Sequence, residues 1–200
     1  MFDKDATLPE RIKPFLLPVE VTDGSDKPRM PGQRPASVLM PLVRRGNWQV
    51  ILTKRPDYMP SHAGQISFPG GRTEIGETAA QGAVRETYEE IGIPSGEIEI
   101  LGRLPSFNAV SNYRVTPFVG VVAANAPIIP CPQEVAEVFE LPFAFFMDEA
   151  HHVPREVDYE GRHFTMYDMP WPNKENAEYL IWGMTAMIIH QIYAGFNRAP

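Results

Sequence analysis

Between Thr78 and Pro94 the chain carries start and stop signals for a single helix, and few segments leave a sequence so little freedom. Thr78 with Gln81 fits a capping box, Gly92 follows the last periodic residue where a left-handed cap is wanted, and Pro94 blocks continuation. Ala80, Val84 (with Ala83), Thr87 and Ile91 recur at helical spacing, which predicts a narrow buried stripe of small residues packed closely on a sheet. Gly82 in the interior costs about 1 kcal/mol relative to Ala, which points to backbone crowding there. Glu86, Glu89 and Glu90 stand at i, i+3 and i+4 and share one helix face, where like charges repel. Solvent or a cation must compensate them. A solvated acidic face is one reading. The other is a site for a hard divalent ion, which takes carboxylate and carbonyl oxygens and bridges to phosphates.

The remaining elements follow from periodicity and punctuation. Residues 1–34 hold Pro9, Pro14, Pro18, Pro28 and Pro31 with few periodic apolar positions and are expected to form an extended, Pro-rich N-terminal arm ahead of a domain over 35–200. Ser37 to Val43 and Trp48 to Thr53 predict a hairpin turning at Arg44-Arg45-Gly46-Asn47. A long loop from Lys54 to Gly71 then leads to the acidic helix. Strands are expected at Ile98 to Leu104 and Val115 to Ala123, while Glu134 to Phe146 is of undecided type. Ala177, Leu180, Ile181, Met184, Met187, Ile188 and Ile192 predict a closing helix capped at Asn173 and running to about Ala194. Strands interleaved with a central and a terminal helix indicate the α/β class, as an α/β/α sandwich around a mixed β-sheet.

Composition narrows the function. No apolar run approaches the roughly 20 residues that span a bilayer, and the start lacks a basic flank before an apolar stretch, so a cytoplasmic protein without a membrane partner is expected. Cys131 is the sole cysteine and is expected to be inert. A net charge of −7 opposes general nucleic-acid binding, yet a locally acidic site can take phosphates when bound cations invert its charge.

The frame Gly71-x5-Glu77-x7-Arg85-Glu86-Thr87-Tyr88-Glu89-Glu90-Ile91-Gly92-Ile93 resembles the Nudix box, G-x5-E-x7-R-E-U-x-E-E-x-G-U with U a bulky aliphatic residue. Thr87 at the first U is the one departure. The resemblance implies a Nudix-type sandwich and a hydrolase in which Glu86, Glu89 and Glu90 hold Mg²⁺ or Mn²⁺, with the Gly71 carbonyl contributing. Glu77 and Arg85 would support the motif as an ion pair. It implies attack of an activated water on phosphorus in a small nucleotide substrate, with Glu89 or Glu134 as general base and Glu137 beside the latter. Homodimers are common among such enzymes, so a homodimer is expected.

Upstream, Leu52, Thr53, Arg55, Gly64, Phe68, Pro69, Gly70 and Gly71 match the signature L-L-T-x-R-S-x3-R-x3-G-x3-F-P-G-G of the coenzyme A pyrophosphatase branch. Tyr113 to Phe118 and Ile181 to Ala186 also look like that branch, so the resemblance covers about residues 35–195. It implies cleavage of coenzyme A or a derivative into 3′,5′-ADP and 4′-phosphopantetheine, with Arg55, Phe68 and Arg72 at the substrate and Arg103 a further nearby cation. Pro56 and Pro60 stand where the signature has Ser and Arg, which leaves two alternatives open. One is a Nudix hydrolase of ADP-ribose, dinucleoside polyphosphates or modified nucleotides; the other is a non-catalytic ligand-binding domain. His62 is either a phosphate donor or locally satisfied. Trp171 and Trp182 are candidates for stacking on adenine, with core the expected place for Trp182. His151-His152 and Glu156 to Glu160 read as solvated loop.

Overall fold

Side chains of strand β1 (Arg34–Arg45) alternate between two buried faces, Leu39 and Val43 on one and Met40 and Leu42 on the other, so a layer must cover each face. The computed structural model describes residues 8–20, 30–109, 112–159, 161–172 and 178–198. β1 forms the expected antiparallel hairpin with β2 (Asn47–Lys54). Two short strands follow, β3 (Ile66–Ser67) and β4 (Gly70–Arg72). The β1–β2 ladder runs from the turn to Leu42 opposite Val50; beyond it β2 pairs with β3 and β1 with β4. The hairpin therefore opens at this end, and the chain leading to the acidic helix fills the gap.

Strands β5 (Ile98–Arg103), β6 (Phe107–Asn108) and β7 (Tyr113–Val122) complete one side of the sheet, and β8 (Glu137–Pro142) the other. β7 runs parallel to β1, placing Phe118 beside Leu39, while the other pairings among the described residues are antiparallel. The sheet is mixed, as expected. The acidic helix α2 (Ala79–Ile91) covers one face, with Ala79 and Ala83 against Leu39 and Phe118. The other face packs on α1 (Leu8–Ile12), α3 (Phe143–Phe146) and α4 (Gly183–Arg198) through Leu8, Ile12, Phe146, Ile188, Ile189 and Ile192. This is the α/β/α sandwich. Among the described residues, no helix is long and apolar enough to cross a membrane.

Several elements differ from expectation. The arm is not simply extended: Leu8 and Ile12, four residues apart, share one helical face and enter the core, and Leu17 pairs with Arg103 of β5. The buried stripe of α2 runs through Ala79, Gly82, Ala83, Thr87, Glu90 and Ile91, with Ala80 and Val84 only half-buried. The helix is turned so that Gly82 meets β1, where an added Cβ would lie 3.0 Å from Ser37 Oγ. Strands β9 (Val153–Tyr159), β10 (Arg162–Trp171) and β11 (Tyr179–Ile181) form a second sheet, so Glu156 to Tyr159 are strand and not a solvated loop. The closing helix starts at Gly183 because Tyr179 to Ile181 are hydrogen-bonded to β10. Asn173, Ala177 and Glu160 lie outside the described residues. His152 is buried, its imidazole against Phe146 O and His190, while Trp182 is 40% exposed ahead of the helix.

Candidate active site

The acidic face is positioned by a helix whose ends are held as the sequence demands. Thr78 Oγ1 accepts the Gln81 N–H at 3.2 Å, Gln81 Oε1 accepts the Thr78 N–H at 2.8 Å, and Gly92 closes the helix at φ 71°. Thr87 is fully buried, and its hydroxyl donates to Ala83 O at 2.7 Å, so a polar side chain fills the aliphatic position without an unmet hydrogen bond.

The three glutamates are not equivalent. Glu90 is 5% exposed and its Oε2 accepts the Gly70 N–H at 3.3 Å. Glu86 turns toward the same strand: a Cβ on Gly71 would sit 2.5 Å from the Glu86 carboxyl carbon, so only glycine permits this approach. Glu89 is half open to solvent. Burial pushes the Glu90 carboxyl up to about 8, with the Gly70 N–H and the Arg55 charge opposing the rise and the charges of Glu86 and Glu134 adding to it. Burial also raises Glu86, against the pull of Arg85. Two enclosed carboxylates thus face one backbone strand, Glu86 paired with Arg85 and Glu90 offset by the Gly70 N–H and the Arg55 charge.

Arg85 braces the loop against the helix. It donates to both oxygens of Glu77, from Nη2 at 2.9 Å and Nε at 3.1 Å, and from Nη2 to Arg72 O at 2.9 Å. The Arg85 hydrogen bonds hold the Glu77 carboxyl below its ordinary range. Nη1 reaches Glu86 at 3.0 Å and Glu89 at 2.7 Å. Among the described residues no three His, Cys, Asp or Glu side chains converge as a ready ligand set, and Arg85 holds Glu86 and Glu89 in ion pairs. As a donor set the three glutamates still suit a hard cation, being oxygen-only and set against the glycine backbone, with one cation, Arg85, shared between Glu86 and Glu89.

The other sequence candidates fall into two groups. Arg55 reaches the site: its charge acts on Glu90, and its Nε is buried without a hydrogen-bond partner. Glu134 is exposed on the turn that follows Cys131, whose N–H donates to Glu90 O at 2.8 Å, and the Glu134 charge acts on both inner carboxylates. Arg72 is exposed at the end of β4. Phe68, expected at the substrate, is 3% exposed in the main core, and Arg103 is 2% exposed in β5 at the contact with Leu17. His62 adopts φ 58°, with Nδ1 2.7 Å from Gln65 Oε1. Trp171 packs on the core, and Arg155 lies 6.0 Å over the Trp182 ring. Sequence reasoning missed the Gly70 N–H and Tyr58, whose hydroxyl donates to Pro132 O at 3.0 Å. The Gly70-Gly71 pair was a signal for the first; no local pattern marks the second.

Comparison with known proteins bears on the family and the fold. Residues 33–161 match the family model of the NUDIX domain. The chain is 36% identical over 168 residues to the uncharacterized Nudix hydrolase NudL of Escherichia coli K12, covering 84% of this chain and 85% of that one. It is 35% identical over 169 residues to the corresponding uncharacterized NudL of Cronobacter sakazakii, with the same coverage. Among solved structures, a MutT/nudix family protein from Enterococcus faecalis superposes with a TM-score of 0.50 at 19% identity, over 86% of this chain and 63% of that chain, a likeness of fold.

Proposed function

The chain belongs to the Nudix hydrolase family, whose enzymes act on pyrophosphate bonds, and from that premise we propose that it cleaves coenzyme A or a derivative, with Mg²⁺ or Mn²⁺ held by Glu86, Glu89 and Glu90. The observation that carries the reading is the pair of enclosed carboxylates, Glu86 and Glu90, pressed against Gly70 and Gly71 with the Arg55 guanidinium nearby. The Gly71 carbonyl is the backbone donor in the same reading. Bound there, a divalent cation supplies charge neutralisation at the pyrophosphate oxygens and acidifies an attacking water.

The protein's own groups divide the remaining work. Arg55 binds a phosphate oxygen of the substrate through its guanidinium, whose charge already acts on Glu90 in the carboxylate face. Arg72 offers a second, exposed cation at the start of the motif. Glu134 takes the proton of the attacking water; it is preferred over Glu89, which the same reading commits to the cation. Glu77 and Arg85 keep loop and helix in register. Phe68 anchors the loop from within the core and does not contact substrate. We place the working enzyme in the cytoplasm as a homodimer acting on a small nucleotide and no nucleic acid, consistent with the net charge of −7.

Coenzyme A is favoured by the segment from Leu52 to Gly71 and yields 3′,5′-ADP and 4′-phosphopantetheine. A second reading, ADP-ribose or a dinucleoside polyphosphate, is favoured by Pro60, an exposed residue without the guanidinium that the signature places there. Chromatographic turnover of coenzyme A, ADP-ribose and diadenosine polyphosphates, with either cation and with chelator, separates the two. Chelator-sensitive release of 3′,5′-ADP from coenzyme A supports the first. Cleavage of another substrate alone overturns it.

A further inference from the structure

The segment from Arg55 to Gln65 is a closed surface loop, pinched at its neck by Arg55 N–H donating to Gln65 O at 3.0 Å. It is braced internally by Met59 N–H to Pro56 O at 3.2 Å and Gln65 N–H to His62 O at 3.1 Å. Tyr58 projects from this loop with 72% exposure, and its hydroxyl donates to Pro132 O at 3.0 Å. The turn it reaches is hung from two other points. Cys131 N–H donates to Glu90 O at the end of α2, and Ala136 N–H donates to Lys54 O at the end of β2, both at 2.8 Å. Between those anchors Glu134 and Val135 N–H donate to Cys131 O at 3.0 and 2.9 Å. Pro132 lies in the free span of the turn, has no N–H of its own, and offers only its carbonyl as a tether.

We propose that Tyr58 is a positioning residue that clasps the Arg55 loop to the turn bearing Glu134, setting where the Glu134 carboxylate stands relative to Glu86 and Glu90. The clasp rests on the reading of Glu134 as the proton acceptor. It fixes the two loops, one carrying the substrate-binding Arg55 and one carrying the base, across the same carboxylate face. A mispositioned base slows the chemical step without changing how substrate is held, so the clasp acts on kcat more than on KM.

The test compares wild type, Y58F, E134Q and the double variant in cation-dependent turnover of whichever of coenzyme A and ADP-ribose the enzyme cleaves, with hydrogen exchange at residues 134 and 135. Y58F keeps the exposed ring and removes one hydrogen bond, so it is expected to lower kcat about fivefold at unchanged KM and to speed exchange of both amides. In the E134Q background, Y58F is expected to have no further effect. E134Q turning over at the wild-type rate overturns the role of Glu134 and the proposal with it. A slow E134Q beside a wild-type-like Y58F, a Y58F loss that persists in the E134Q background, a change in KM alone, or unaltered exchange overturns the proposal alone.

Discussion

The Glu90 carboxylate accepts the backbone N–H of Gly70 at 3.3 Å, which ties the C-terminal end of the acidic helix to the strand that precedes it. Burial makes that carboxylate costly to charge, so removing the charge while keeping the acceptor separates stability from activity. Glu90→Gln retains an oxygen for Gly70. It is expected to lose at least about 100-fold in kcat, since disturbing a metal's supporting partner already costs up to that much. The metal-free variant is expected to melt no lower than wild type, and Mg²⁺ or Mn²⁺ is expected to raise Tm in wild type but not in the variant. Calorimetry with and without chelator checks this, and equal stabilisation of both proteins would refute the metal assignment.

Gly71 faces Glu86 so closely that a Cβ would fall 2.5 Å from its carboxyl carbon. Gly71→Ala therefore displaces a carboxylate and leaves the core untouched. Turnover is expected to fall at least about tenfold, with Tm within about 4 °C of wild type, a change of about 1 kcal/mol. Parallel kinetics and melting decide it; full activity would show that the Glu86 position is immaterial.

Arg85 grips Glu77 with two hydrogen bonds while holding Arg72 O, and all three groups sit in the loop–helix junction. A lysine cannot reproduce that fork. Arg85→Lys is expected to cost about 2 kcal/mol and lower Tm by about 4–8 °C. Glu77→Gln, which keeps one acceptor, should lose less.

His152 and His190 provide an acid sensitivity apart from the site. Phe146 O can only accept, so His152 donates through Nε2 at 2.8 Å and its Nδ1 accepts from His190 Nδ1 at 3.0 Å. Burial holds both imidazoles below their ordinary 6.5, although Asp148 and Glu149 pull His152 upward. For a base with a depressed folded value, the stabilisation is complete above 6.5 and is lost as pH falls through the folded value. The raised Glu90 and Glu86 carboxyls contribute with the opposite sign in both proteins, so the prediction is a difference: between pH 7.5 and 5.5 the metal-free wild type is expected to lose about 2–4 °C of Tm relative to His190→Gln, where a side-chain oxygen can accept from a protonated His152. Identical pH dependence in the two proteins would contradict this.

What could be read from the residues alone was local or periodic. Thr78, Gln81 and Gly92 act within one helical turn, so they specified the ends of α2 without knowledge of its surroundings. The spacing of Glu86, Glu89 and Glu90 likewise placed three carboxylates on one surface, and Gly71, Glu77 and Arg85 completed a frame whose family membership the comparisons bear out. Tertiary structure decided what periodicity leaves degenerate. Leu180 and Ile181 fit a helical repeat as well as a strand, and pairing with β10 selected the strand. The same is true of burial: Glu89 and Glu90 are neighbours in sequence, but the crossing of α2 over Ser37 and Gly70 encloses one and leaves the other open. Tyr58 and Pro132 are 74 residues apart, and such a contact exists only once the hairpin, the acidic helix and the following turn have packed together. Backbone propensity acts over a few residues, whereas desolvation and side-chain pairing depend on every element brought near.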